Sequence, residues 1–279
     1  MAEPEPLEHE VARAKAGDRD ALESVLRAVQ KDVYKLALRF LWHPQDAEDA
    51  TQEILIRVLT GLGGFRGESG FRTWVYRIAC NALLTSRKQR MERQPMSFEA
   101  FGEDLARGLS DAADEDIEDK LLLEEVKIGC TLAMLLCLDR DQRMAYIVGE
   151  ILGLDHSEAA EVLETTPAVF RKRLSRARSG ITSFMLSRCG LANPDNPCRC
   201  RKRVAAAVAL RRVDPSHLLF ASSQQQARRF PEVLAEIRRL EEARRAAALY
   251  RSHPEARPSD AFAAWLKQVV EERPGTDPG

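Results

Sequence analysis

Apolar residues recur at three- and four-residue spacing through almost the whole chain, and nowhere do apolar and polar residues alternate for the length of a strand. A period near 3.6 gathers such residues onto one face of a helix, so the pattern predicts an all-α fold. In 279 residues, 44% of them hydrophobic, two small helical domains plus a helical tail fit better than one large core.

Local signals place the helices. Leu7 to Ala16 reads as a short helix closed by Gly17; Asp18 can cap a helix into Val29, and Lys31 to Leu41 reads as another before a His43-Pro44 break. Asp46 to Thr60 and Phe71 to about Arg90 complete a first unit over 1–90. Residues 91–119 are acidic and poor in apolar periodicity, which reads as a flexible linker. Compact structure is expected again over 120–187, and 188–279 forms a cysteine-containing helical extension.

The start, MAEPEPLEHE, is acidic and lacks an apolar stretch, and runs such as LAMLLCL are too short to span a bilayer. The expectation is a chain that is neither exported nor anchored, in the cytoplasm, with its six cysteines reduced. The formal net charge of −1 hides a separation of signs. Residues 97–125 hold eleven acids against two bases, whereas RKRLSRAR (171–178) holds five bases and no acid. A phosphate backbone responds to that local field more than to the total.

The basic run lies in a pattern that suits a helix-turn-helix. Asp155 with Glu158 three residues on resembles a capping box, Thr165 and Thr166 make a turn, and Pro167 suits a first helical position. At 100° per residue, Phe170, Leu174, Ala177, Ile181 and Phe184 share one face, and Ala168, Arg171, Lys172, Ser175, Arg176 and Ser179 the other. One face can pack while the other enters a major groove. A solvated charged helix is the plainer alternative.

The same projection on the Phe71 helix buries Phe71, Val75, Ile78 and Ala82 and lines up Trp74, Arg77, Asn81 and Lys88 along the border. An aromatic ring, two cations and an amide in a row suit unpaired bases, although a border Trp is commonly mere packing. Ahead of it, FRGESG places Gly67 and Gly70 where positive φ and close approach to a nucleotide are expected. The Asp46 helix is apolar on more than one side, with Ala47, Ala50, Ile54 and Val58 on one face and Leu55, Ile56 and Leu59 around the other. It is therefore either central to its bundle or in contact with a partner.

In order and spacing, DAEDATQEILIRVL (46–59), FRGESGFRTWVYRIACN (65–81) and EAAEVLETTPAVFRKRLSRAR (158–178) resemble the bacterial extracytoplasmic-function sigma factors of RNA polymerase. The resemblance spans roughly residues 10 to 186. It implies a sigma domain 2 over 1–90, a linker that threads the polymerase, and a sigma domain 4 over 120–187. Such a chain binds core RNA polymerase and directs promoter-specific initiation, domain 2 melting the −10 element and domain 4 reading the −35 element as duplex. Carried over residue by residue, Asp49, Gln52 and Glu53 match polymerase-binding positions. Phe65, Arg66, Gly67, Glu68 and Ser69 match the loop that receives an extruded base, with Trp74, Arg77, Asn81 and Lys88 beside it. Ala168, Arg171, Lys172, Ser175 and Arg176 match the duplex-reading face. The partners implied are core polymerase and promoter DNA, with room for an anti-sigma factor.

Motifs for a P-loop, a nucleophile elbow or a metalloprotease are missing, so a specificity subunit without enzymatic activity is expected. Two rival readings are a helix-turn-helix regulator that works without polymerase and a metal or redox sensor. The second arises from Cys189, Cys198 and Cys200, which could hold zinc with His217, Cys137 or Cys130 as a fourth ligand, or sense oxidation. Their spacing fits no standard finger, and incidental cysteines are the alternative.

Overall fold

A computed structural model describes residues 7–86, 96–107, 109, 120–255 and 258–271, and every named element among them is helical. The first unit comprises α1 (Leu7–Lys15), α2 (Arg19–Leu41), α3 (Pro44–Gly61) and α4 (Phe71–Thr85). Gly17, at φ 99°, turns the chain out of α1. Asp18 then caps α2, its Oδ1 accepting from the Ala21 N–H at 3.0 Å. The two helices expected before Leu41 are one 23-residue helix. Leu22, Val25, Leu26, Val29, Val33, Leu36, Ala37 and Phe40 are all buried and keep one helical register across residue 30, so nothing breaks the run.

Helix α2 ends on Trp42, whose φ of 71° is costly for a bulky residue. The second unit and the extension supply the restraint: Trp42 Nε1 donates to the Gly129 carbonyl of the second unit at 2.9 Å, and its ring meets Phe220 of the extension edge-on at 5.4 Å. Pro44 opens α3 at a position where its missing N–H costs nothing.

The stretch expected to be a structureless linker holds a helix, α5 (Phe98–Arg107). Ser97 caps it through Oγ, and Phe98 and Phe101 place their rings 5.3 and 5.6 Å from Phe184. Phe98, Phe101 and Leu105 at i, i+3 and i+7 form one apolar face, which the surrounding acids conceal in an average over the segment. Residues 91–95 and 110–119 lie outside the described residues.

The second unit holds α6 (Lys120–Leu136), α7 (Arg140–Tyr146), a π-helical turn (Ile147–Ile151), α8 (His156–Val162) and α9 (Pro167–Arg188). Buried Arg143 joins it to the first unit, donating to the carbonyls of Leu135, Leu138 and, at 2.8 Å, Phe40. Gly149 lets the π turn lie against α9, since a Cβ there would stand 3.1 Å from both Leu174 and Phe170.

The extension contributes α10 (Cys200–Ala209), α11 (Gln224–Arg239), α12 (Glu242–Arg251) and α13 (Asp260–Glu271), and it wraps both units. The Glu125 carboxylate on α6 receives three backbone N–H groups, from Leu219, Phe220 and Ala221, at 2.8–2.9 Å. Tyr250 donates to the Thr131 carbonyl, and Arg251 to that of Glu150. Ser259 binds Glu48 of α3 through both its N–H and its hydroxyl. Apolar side chains from the first unit, the second unit and the extension share one continuous core.

Candidate nucleic-acid and polymerase interfaces

The helix-turn-helix is built as its sequence suggests. Asp155 Oδ1 accepts from the N–H groups of Ser157 and Glu158 at 2.8 and 2.9 Å. Those two bonds, Glu158's the stronger influence, hold the Asp155 carboxyl below the usual carboxylate range. Thr166 Oγ1 accepts from Val169 N, and Pro167 opens α9. Phe170, Leu174, Ala177, Ile181 and Phe184 are buried, while Ala168, Arg171, Lys172, Ser175 and Arg176 are exposed.

Within RKRLSRAR the cations divide into two sets. Arg173 pairs with Asp141 at 2.6 Å and Arg178 pairs with Glu150. Arg171, Lys172 and Arg176 have no ion pair among the described residues and point to solvent on one face. The tied cations brace α9 on its own domain, and the untied set offers charge to a phosphate backbone.

On α3, Ile54, Leu55, Val58 and Leu59 are buried, so most of the doubled apolar character serves the internal core. One strip stays open. Asp49 and Glu53 are exposed, Gln52 is half-buried, and Ile56 between them is 44% exposed. Glu48, one residue before Asp49, is occupied by Ser259 of the extension.

The loop over 65–70 is less open than a base-receiving pocket requires. Phe65 is buried in an aromatic trio, its ring 5.4 Å from Phe71 and 5.3 Å from Trp74, and its carbonyl accepts from Lys15. Arg66, Gly67 and Glu68 are exposed at the tip, Ser69 is half-buried, and Gly67 has φ 73°. Gly70 departs from expectation: its φ is −58°, and an added Cβ would meet only Thr73 Oγ1 at 3.7 Å. Its backbone therefore does not demand glycine.

Trp74, Arg77 and Asn81 form the expected stripe on α4, each half-buried; Lys88 lies outside the described residues. The helix that carries the stripe lies against the helix-turn-helix: Trp74 packs on Phe65 and Phe71 of its own unit, and the contacts with the second unit come from Asn81 and Thr73. Asn81 Nδ2 donates to Glu164 Oε2 at 2.8 Å, and Thr73 Oγ1 donates to Glu158 Oε1 at 3.1 Å. Nearby, Arg140 donates to the Leu83 carbonyl and the Ser86 hydroxyl. Sequence periodicity marks the border of a helix face, and it carries no information about which remote element lies against that border.

All six cysteines are free thiols. Cys189, Cys198 and Cys200 line one small cavity together with Cys130, whereas His217 is exposed and Cys137 lies outside that lining. Among the described residues no three His, Cys, Asp or Glu side chains already stand at metal-coordinating geometry. No helix among the described residues is long and apolar enough to cross a membrane.

The Sigma-70 region 2 family matches residues 25–93, and Sigma-70 region 4 matches 128–179. The RNA polymerase sigma-H factor of Pseudomonas aeruginosa is 32% identical over 173 residues, which cover 61% of this chain and 89% of the relative. The ECF RNA polymerase sigma-E factor of Escherichia coli is 30% identical over 175 residues, covering 61% and 90%. A solved structure of CnrH in complex with the cytosolic domain of CnrY aligns with a TM-score of 0.45 at 22% identity, covering 63% of this chain and 94% of that one.

A helix-turn-helix with an open cationic face, behind a helical unit with its own open strip, defines a promoter-recognition subunit. The chain belongs to the extracytoplasmic-function sigma factors of bacterial RNA polymerase. It works with core RNA polymerase and promoter DNA to direct initiation, and that family is not a class of enzymes.

Proposed function

We propose that the first unit, residues 1–90 of the sequence, binds core polymerase through α3 and opens the −10 element with α4 and the 65–70 loop, while α9 reads the −35 element as duplex. The observation that carries this reading is the sorting of cations on α9. Arg171, Lys172 and Arg176 have no ion pair among the described residues and share the exposed face with Ala168 and Ser175, whereas the other two arginines of the run are spent on internal pairs. A merely solvated helix gains nothing from keeping its free cations on one side.

Asp49, Gln52, Glu53 and the exposed Ile56 make the polymerase contact, since an aliphatic side chain ringed by polar ones is the composition of a small interface core with a polar rim. Arg66, Gly67, Glu68 and Ser69 present a tip to an extruded base, with Phe65 behind it. Trp74, Arg77 and Asn81 contact the unpaired strand, with Lys88 continuing the stripe. For that, α4 and α8 must part, because Asn81 and Thr73 are engaged with Glu164 and Glu158.

A regulator that works without polymerase would need α9 and have no use for the α3 strip or the region 2 match. Run-off transcription with purified core enzyme and genomic fragments tests the proposal. Discrete transcripts are expected only when the chain is present, and their loss in an Arg171→Ala, Arg176→Ala double variant that still binds core enzyme. Binding of the chain alone to specific duplex, with no effect on transcription by core enzyme, would overturn it.

A further inference from the structure

Four of the six thiols converge where three segments meet. Cys130 comes from α6, Cys189 ends α9, Cys198 lies in the following loop, and Cys200 starts α10. Together they line a cavity of about 20 Å³, room for a single small guest, whose other walls include Leu105, Val126 and Met134.

The backbone is arranged around the sulfurs. Gly190 N donates to the Cys198 carbonyl at 3.1 Å, and Cys189 and Cys198 form an isolated parallel bridge, so the two cysteine-bearing strands of the loop run side by side. Three guanidinium groups clamp the surroundings. Arg199 donates to the carbonyls of Pro194, Asn196 and Cys198, Arg238 to Gly190 at 3.0 Å, and Arg203 to Leu105 at 3.1 Å.

Three roles compete for such a cluster. The four thiols line a small, mostly apolar cavity rather than an open surface, and an enclosed thiol is a poor nucleophile, which argues against peroxide sensing. Incidental packing would account for one sulfur in an apolar wall, but not for four thiols from three segments around a single cavity with three cations at the surrounding backbone, an arrangement that suits negative charge on sulfur. Four soft sulfur donors around a one-guest cavity match tetrahedral zinc better than any hard cation.

We propose that Cys130, Cys189, Cys198 and Cys200 form a tetrathiolate site for one zinc ion, which fastens the extension to the DNA-reading unit. Each S–H bond breaks as an S–Zn bond forms, four protons leave to solvent, and no electron is transferred. The resulting site carries two net negative charges, faced by Arg199, Arg203 and Arg238. The thiols now rim the cavity without coordination geometry. Bonds of about 2.3 Å require the thiols to rotate inward about χ1 when the metal binds. The sequence reading named the three tail cysteines, and the fold selects Cys130 over Cys137 and His217 as the fourth.

The test uses the full chain, purified without added metal or a metal-binding tag. Elemental analysis is expected to give one zinc per chain in the parent protein and in Cys137→Ser, and to fall sharply in Cys130→Ser. Should Cys130→Ser fail to fold, titrating the parent protein with Co2+ after zinc removal gives a separate readout. Intense visible bands of tetrahedral cobalt with sulfur charge transfer are expected. Zinc at background level in the parent protein, full zinc in a folded Cys130→Ser, or the pale spectrum of octahedral cobalt would each overturn the proposal.

Discussion

Asn81 on α4 donates its side-chain amide to Glu164 at 2.8 Å, across an interval of 83 residues. Glu164 closes the first helix of the helix-turn-helix with φ 48°, a left-handed conformation that a side chain tolerates poorly. Substitution by glycine removes the bond and relieves the backbone at once. Glu164→Gly is expected to leave the melting temperature unchanged or slightly raised, and to strengthen binding of −10 single strand by roughly three- to tenfold, the equivalent of about 1 kcal/mol for one solvent-exposed hydrogen bond. Fluorescence anisotropy with a labelled oligonucleotide measures it; equal affinity in the two proteins would mean that the contact does not compete with DNA.

The division of cations on α9 gives a contrast within one helix. Arg171→Ala and Lys172→Ala are each expected to weaken −35 duplex binding, by about 1–3 kcal/mol for a base contact, or with a salt slope lower by about 1 for a phosphate contact. Arg173→Ala is expected to spare affinity and lower thermal stability slightly, because it breaks the exposed pair with Asp141. Salt-dependent binding isotherms separate these cases. A DNA defect in Arg173→Ala equal to that of Arg171→Ala would remove the contrast.

Ile56 is the exposed aliphatic centre of the α3 strip. Ile56→Asp is expected to cut core-polymerase binding at least tenfold, as does loss of a small apolar anchor in a polar rim. Stability should fall by no more than about 1 kcal/mol, since the side chain is only partly buried. Pull-down with core enzyme alongside a thermal melt checks both. The Gln52→Ala, Glu53→Lys pair should reproduce the binding loss.

His253 Nε2 lies 2.8 Å from Thr131 Oγ1 at the junction of α12 and α6. Burial first, and then the charges of Arg39 and Lys127, push its pKa well below the ordinary value of 6.5. Folded His253 is therefore neutral where the unfolded chain would bind a proton. The sign follows: stability is full above pH about 6.5 and declines as the pH falls through that value toward the depressed folded pKa. A melting temperature that drops between about pH 7 and pH 5.5 is expected, with a shallower drop in His253→Gln. Parallel curves for the two proteins would assign the decline to other groups.

Much of this was legible beforehand because it is local. The Asp155 cap, the Thr166-Pro167 turn and the two faces of α9 depend on residues within one or two turns of each other, and all appear as read. Helix α5 was missed because eleven acids across 97–125 mask three apolar positions in one helix face. Asn81 was placed on its stripe correctly, but a partner 83 residues away leaves no trace in periodicity. Cys130 stands in the sequence as one of three candidate fourth ligands beside Cys137 and His217; periodicity cannot choose among them, and only the fold brings Cys189, Cys198 and Cys200 to Cys130.

Glu125 has a consequence for how this protein is made. Its carboxylate is satisfied by N–H groups 94 to 96 residues further along the chain. At ribosomal rates of about 5–20 residues per second, α6 exists for roughly 5–20 s before those donors are synthesised. During that interval the carboxylate keeps α6 hydrated on the side where the extension will lie, and the two DNA-handling units emerge and fold without their strap. A nascent chain halted before Leu219 would lack all three donors and carry a permanently open α6 face.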